Sequence, residues 1–138
     1  MRVTLYADGG ARGNPGPAAG GAVLLGEDGR VLCERGEYLG TATNNVAEYT
    51  GLIVGLEEAK RLGTVTMLDV RMDSMLVVQQ MRGIWKIKHP GLRPLAIRAG
   101  ALLAEFPQRT IEHVPRDLNH LADAVVNRIL DEAASRTG

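Results

Sequence analysis

Four acidic residues, Asp8, Glu48, Asp73 and Asp123, stand where a carboxylate is costly to place. Asp8 in "LYADGG" and Asp73 in "VRMDSM" each fall where a β-like pattern stops, and in open α/β sheets the carboxyl ends of strands are where ligands bind. Glu48 lies one turn into a helical pattern, with Leu52 and Leu56 four and eight positions on, so its side chain leaves from beside the apolar stripe. Asp123 repeats this, with Ala122 adjacent and Val126 and Leu130 three and seven positions on. Singly, each has a plain structural account. Asp8 could be a turn residue before glycines, Glu48 the partner of Asn45 in a capping box, Asp73 a helix cap before "SML", and Asp123 a solvated helix residue. Together they form a group that repels itself, and one member would hold a proton unless a cation neutralised the set. Oxygen donors without a cysteine cluster select Mg²⁺ or Mn²⁺ over zinc.

The elements that must position these acids are legible from the change of hydrophobic period along the chain. "RVTLYAD" (2–8) alternates, with Val3, Leu5 and Ala7 on one side, and "AGGAVLLGEDGRVLCERGEYLG" reads as a hairpin turning at "EDGR". From Thr43 the period is helical, with Val46, Tyr49, Ile53, Leu56 and Leu62 on one broad side and a stop at Gly63. "VTMLDVRMD" is β-like, "SMLVVQQM" and "LRPLAIRAGALLAEF" are helical, and "RTIEHV" is a last strand. "LNHLADAVVNRILDEAAS" closes as a helix, with Leu118, Leu121, Ala122, Val125, Ile129 and Leu130 expected toward the core. The order βββαβααβα predicts an α/β fold in which a mixed sheet is covered by helices on both faces.

Composition bounds the reading without deciding it. A chain of 138 residues, 45% hydrophobic and 23% charged, fits one domain over residues 1–138. It contains no apolar run of the ~18 residues a membrane span needs, and "MRVTLYADGG" enters a strand directly, so a cytoplasmic protein without membrane contact is expected. The lone Cys33 supports neither an internal disulfide nor a thiolate cluster and reads as a small core residue. Sixteen basic residues balance sixteen acidic ones, so local charge must carry any claim for a polyanionic partner. A phosphate-cradling nucleotide binder is excluded, since neither G-x-x-x-x-G-K nor a strand-linked G-x-G-x-x-G is present.

The blocks "YADGGARGNPGPAAGGAV", "TATNNVAEYTGLIVGLEEA", "VRMDSMLVV" and "VPRDLNHLADAVVN" resemble the successive signatures of type 1 ribonuclease H, over essentially the whole chain. The resemblance implies a five-stranded mixed sheet, three antiparallel strands followed by two parallel ones, flanked by helices. It matches Asp8, Glu48, Asp73 and Asp123 to the family's catalytic, metal-binding carboxylates, with two Mg²⁺ or Mn²⁺ ions per active site. It implies an endonuclease that hydrolyses the RNA strand of RNA/DNA hybrids and leaves 5′-phosphate and 3′-hydroxyl ends. Two such ions supply an attacking hydroxide and stabilise the leaving oxygen. A minor-groove contact to the 2′-hydroxyl would distinguish RNA from DNA, and Gly9, Gly10, Asn14, Thr43, Asn44 and Asn45 are the expected substrate residues. The glycines after Asp8 would admit close approach of backbone to substrate. No protein partner is required by this reading, and a monomer is expected.

Three departures from the family pattern shape the expectations. The basic protrusion between the two middle helices is reduced to "RGIWKIKHPG", in which Trp85, Lys86 and Lys88, with Arg82, Arg93 and Arg98 around them, suit phosphate contact beside one stacking surface. The loop before the last acid, "PRDLN", has no histidine, and Arg116 is its nearest catalytic candidate, while His113 and His120 read as structural or surface residues. Met75 occupies a position where a polar substrate contact is common. A silent binding module would be expected to lack one of the acids, and other phosphoryl transferases of the wider superfamily would lack the "GNPGP" and "TNN" blocks.

Overall fold

A computed structural model describes residues 1–137. β1 (Arg2–Ala11), β2 (Gly16–Leu25) and β3 (Val31–Ala42) form an antiparallel meander, followed by α1 (Asn44–Leu62). Then come β4 (Met67–Met72), α2 (Met75–Met81), α3 (Arg93–Leu103), β5 (Gln108–His113), a 3₁₀ turn at Arg116–Asn119 and α4 (His120–Thr137). The sheet order is β3-β2-β1-β4-β5, and β1 pairs β4 and β4 pairs β5 in parallel. This is the five-stranded mixed sheet expected from the element order.

The helices divide the sheet into two unequal cores. Val3, Leu5 and Ala7 of β1 and Leu68, Val70 and Met72 of β4 are fully buried in one cluster with Tyr49, Leu52 and Leu56 of α1 and with apolar residues of α2 and α3. Burying one such side chain contributes about 1.5–3 kcal/mol. On the other face α4 lays Val126 and Leu130 over Ala19 of β2. α1 starts on the Thr43 hydroxyl, which accepts from Val46 N, and stops at Gly63 in the left-handed region (φ 75°). Cys33 packs against the larger core, half-buried, as expected of a small core residue.

Two details differ from the sequence expectations. β1 continues past Asp8 to Ala11, because β2 goes on pairing with it as far as Ala11↔Ala18, whereas its parallel pairing with β4 ends at Ala7↔Met72. Asp8 is therefore inside a strand on one side and at an open rim on the other. Leu118 and Leu121 are 58% and 36% exposed rather than core residues. The 3₁₀ turn ahead of α4 breaks the 3.6-residue phase, and it is Asn119, 1% exposed, that points inward.

Candidate active site

Asp8, Glu48, Asp73 and Asp123 line one cleft of about 390 Å³, together with Gly9, Gly10, Arg12, Asn44, Arg116 and Asn127. The early end of β4 makes this possible: beyond Ala7↔Met72 the sheet is open beside Asp8, and Asp73 follows directly from β4 at that opening. α1 brings Glu48 from one face and α4 brings Asp123 from the other. Three of the plain structural accounts fail, beginning with Asp8, which lies inside β1 and not in a turn. Thr43 is the cap of α1, placing Glu48 beyond the capping positions, and Ser74, not Asp73, caps α2 by accepting from Val77 N at 3.2 Å.

Glu48 reaches Asp8 because α1 lies unusually close to β1. A Cβ on Gly9 would stand 2.1 Å from Ala47 C and 2.3 Å from Glu48 N, and one on Gly51 would stand 2.0 Å from Asp8 O. The helix and strand backbones touch at these positions, which only glycine permits. Gly9 is thus explained by helix packing, although it also lines the cleft. Gly10 is different, since a Cβ there would meet only Val126 Cγ1 at 3.8 Å.

The electrostatics single out Asp8. Burial, then the charge of Asp73, then those of Asp123 and Glu48 push its carboxyl up to about 8, against a smaller opposing hydrogen bond from Gly9. Burial likewise raises Glu48, with Asp73 adding to it and a hydrogen bond from Ser74 working the other way. Asp69, on the neighbouring strand and 6% exposed, shows the alternative. Burial raises it, but hydrogen bonds from Arg2 Nε and Thr110 Oγ1, both at 2.8 Å, and the Arg2 charge more than offset this and leave it lowered. Among the described residues no Lys or Arg forms an ion pair with any of the four cleft acids. Nor does any group of three or more His, Cys, Asp or Glu side chains among them stand, as placed, ready to hold a metal ion. The donor set is open and all-oxygen, which fits a cation that keeps water and substrate oxygens among its ligands, as Mg²⁺ does.

Amide side chains hold two of the acids. Asn119 Nδ2 donates to Asp73 Oδ1 at 3.0 Å and Asn127 Nδ2 to Asp123 Oδ2 at 3.2 Å. Sequence reasoning named neither asparagine. Asn127 lies four residues after Asp123, one helical turn on, and that spacing could have found it, whereas Asn119 acts across the fold and leaves no local signal. Arg12, also unforeseen, lines the cleft and is tied to Asp131 of α4 at 2.6 Å.

A second groove, about 450 Å³, adjoins the "GNPG" and "TNN" segments and brings together Asn14, Thr43, Asn45, Gln80, Lys86 and Lys88. Asn44 lies between the two depressions, its Oδ1 accepting from Ala11 N at 2.8 Å and its own N–H donating to Asn14 Oδ1 at 3.1 Å. The segment carrying Lys86 and Lys88 is short and tied down. Ile84 and Trp85 N–H groups donate to Gln79 O, and Gln80 Nε2 donates to Lys86 O at 3.3 Å while its Oε1 accepts from the buried Tyr49 hydroxyl at 2.7 Å. Trp85 is 45% exposed and Met75 42%, and His113 and His120 are exposed.

Residues 6–129 match the reverse transcriptase-like family model. A ribonuclease H of Pseudomonas savastanoi pv. phaseolicola is 38% identical over 141 residues, covering 94% of this chain and 93% of that protein. The chain belongs to the ribonuclease H family. A ribonuclease HI of Halobacterium salinarum is 48% identical over 96% of this chain and 66% of its own length. Among solved structures, the N-terminal RNase H domain of a Mycobacterium tuberculosis protein superposes with a TM-score of 0.94 at 50% identity, covering 100% of this chain and 99% of that one. An RNase H1 solved in complex with an RNA/DNA hybrid gives 0.90 at 42%, covering 96% and 99%. The chain spans only 37% of the length of the bifunctional M. tuberculosis protein it matches at 52% identity. As a ribonuclease H it is a member without the basic protrusion, since the segment 82–92 alone joins α2 to α3.

Proposed function

We propose that the chain, acting as one domain, is a divalent-metal-dependent endonuclease that hydrolyses the RNA strand of RNA/DNA hybrids, leaving 5′-phosphate and 3′-hydroxyl ends. The observation that carries this reading is the convergence of four carboxylates on one cleft, where Asp8 is pushed up to about 8 without a cationic partner. Such a cluster is relieved by binding cations. Asp8, Glu48, Asp73 and Asp123 would hold Mg²⁺ or Mn²⁺, which when bound supplies an activated water and neutralises charge at the phosphate. The chain's own residues bind and orient. Arg116, on the cleft wall, faces the scissile phosphate. Gly10 leaves room at the floor. Asn14, Thr43, Asn45, Lys86 and Lys88 hold the hybrid in the adjoining groove, Asn44 spans the two sites, and Trp85 offers a stacking surface. Support for the substrate comes from the relative solved with a hybrid.

The test is cleavage of an end-labelled hybrid, with single-stranded RNA, duplex RNA and duplex DNA as controls, in Mg²⁺, Mn²⁺ and excess EDTA. Only the hybrid should be cut, and only with metal. Asp73→Asn should lower turnover by about 10³-fold or more, several kcal/mol of transition-state stabilisation. Undiminished cleavage in EDTA would remove the metal from the reaction. A variant retaining a tenth of the wild-type rate would remove Asp73 from the site.

A further inference from the structure

Three of the acid-bearing elements meet at one buried amide. Asn119 is 1% exposed, and its Nδ2 donates one hydrogen to Ala7 O at 2.9 Å and the other to Asp73 Oδ1 at 3.0 Å. Ala7 immediately precedes Asp8 in β1, Asp73 immediately follows β4, and Asn119 ends the 3₁₀ turn that launches α4 four residues before Asp123. We propose that Asn119 is a positioning residue that fixes the spacing of Asp8, Asp73 and Asp123 for divalent-cation binding, a role that rests on the function proposed above.

The chemistry of the amide supports this over a packing role. Both Nδ2 hydrogens are used, and they diverge in one rigid plane, so the strand carbonyl and the carboxylate are held at a set angle and distance. The reversed amide would set Oδ1 against two acceptors, which fixes the orientation. Asn119 Oδ1 is buried without a hydrogen-bond partner. That costs stability which an apolar side chain of the same shape would not lose, so the residue is poorly explained as filler. Its bond to Asp73 occupies Oδ1 and leaves Oδ2 for the cleft. Partners that orient a metal ligand in this way typically govern affinity by 10–100-fold.

Asn119→Leu removes both hydrogen bonds together with the orphaned oxygen while keeping the branch at Cγ in a bulkier side chain, and Asn119→Ser shortens the side chain out of reach of Asp73. Each is compared with wild type in thermal unfolding without metal, in calorimetric titration with Mn²⁺ in the absence of nucleic acid, and in hybrid cleavage across a Mn²⁺ series. The variants should stay folded. Their Mn²⁺ midpoint should rise by about 10-fold or more, and cleavage should recover toward wild type as Mn²⁺ is raised. Should Asn119→Leu fail to fold, Asn119→Ser is judged by the same midpoint. A wild type that binds no Mn²⁺ would overturn the metal reading and this role with it. A wild-type response left unchanged in a folded variant would overturn the role of Asn119 alone.

Discussion

Asp8 and Asp69 are both buried acids on adjacent parallel strands, yet one is driven up and the other down. The difference is the partner, because Asp69 has a guanidinium and a hydroxyl while Asp8 has three other acids. Asp8 is raised from 3.8 to about 8, so between those values the metal-free folded chain keeps a proton that the unfolded chain has released. Its stabilising contribution is therefore complete below the lower value and lost as pH rises through the higher one. In chelator, melting temperature should fall from pH 5 to pH 8, and Asp8→Asn should flatten that profile and raise stability at pH 8 by on the order of a few kcal/mol. Parallel profiles for the two proteins would show that Asp8 holds no extra proton. Arg116 is exposed on the cleft wall, and among the described residues its side chain forms no ion pair. Arg116→Ala should slow steady-state turnover by about 10-fold, roughly 1.4 kcal/mol, at an unchanged melting temperature. Equal kinetics at saturating hybrid would assign it to the surface.

At the scale of elements, the contact between α1 and β1 decides where Glu48 lies. Gly9→Ala places a methyl 2.1–2.3 Å from the backbone of Ala47 and Glu48, which cannot yield without moving the helix. A loss of about 3 kcal/mol or more in urea unfolding is expected, at the upper end of overpacking costs. Gly10→Ala is the contrasting variant, because its nearest neighbour is a side-chain methyl at ordinary contact distance. It should fold like wild type, so that any loss of activity reports on the cleft alone. Equal stability of the two variants would contradict the close approach that sets Glu48 beside Asp8.

Taken whole, the molecule is electrically neutral, with sixteen basic and sixteen acidic residues, so under the proposed function local charge must carry the hold on a polyanion. Of the basic residues between α2 and the end of α3, Arg98 is engaged with Glu57 and Arg93 donates to Ile87 O, while Lys86 and Lys88 line the second groove. Each phosphate contact adds a little under one to the slope of log affinity against log salt, so binding should be weak and its salt dependence shallow. Replacing Lys86 and Lys88 together by Ala should raise KM for every hybrid sequence alike and flatten the slope by up to about two, with a smaller effect on kcat. An unchanged slope would mean that the hybrid is held elsewhere. A collapse of kcat at constant KM would mean that this segment shapes the cleft.

The four acids, the order of elements and the short basic segment were all readable from the chain, because local pattern and residue chemistry carry them. Period two and period 3.6 mark which side of each element is apolar, and a carboxylate beside an apolar stripe is conspicuous without any partner in view. The convergence of those acids was suggested by two strand ends and two apolar helix stripes and implied by the resemblance, but the geometry that produces it, β4 ending one pair short of Asp8 while β2 continues, was not readable. Two further features depended on tertiary contact alone. The glycine at position 9 answers to the backbone of Ala47 and Glu48, distant in sequence, as well as lining the cleft. The turn at Arg116–Asn119 exchanges an expected core leucine for an asparagine whose hydrogen bonds reach back to β1 and Asp73. A hydrophobic pattern says which face of an element is buried, but where a 3₁₀ turn resets the phase, only the packed fold settles which side chain points inward.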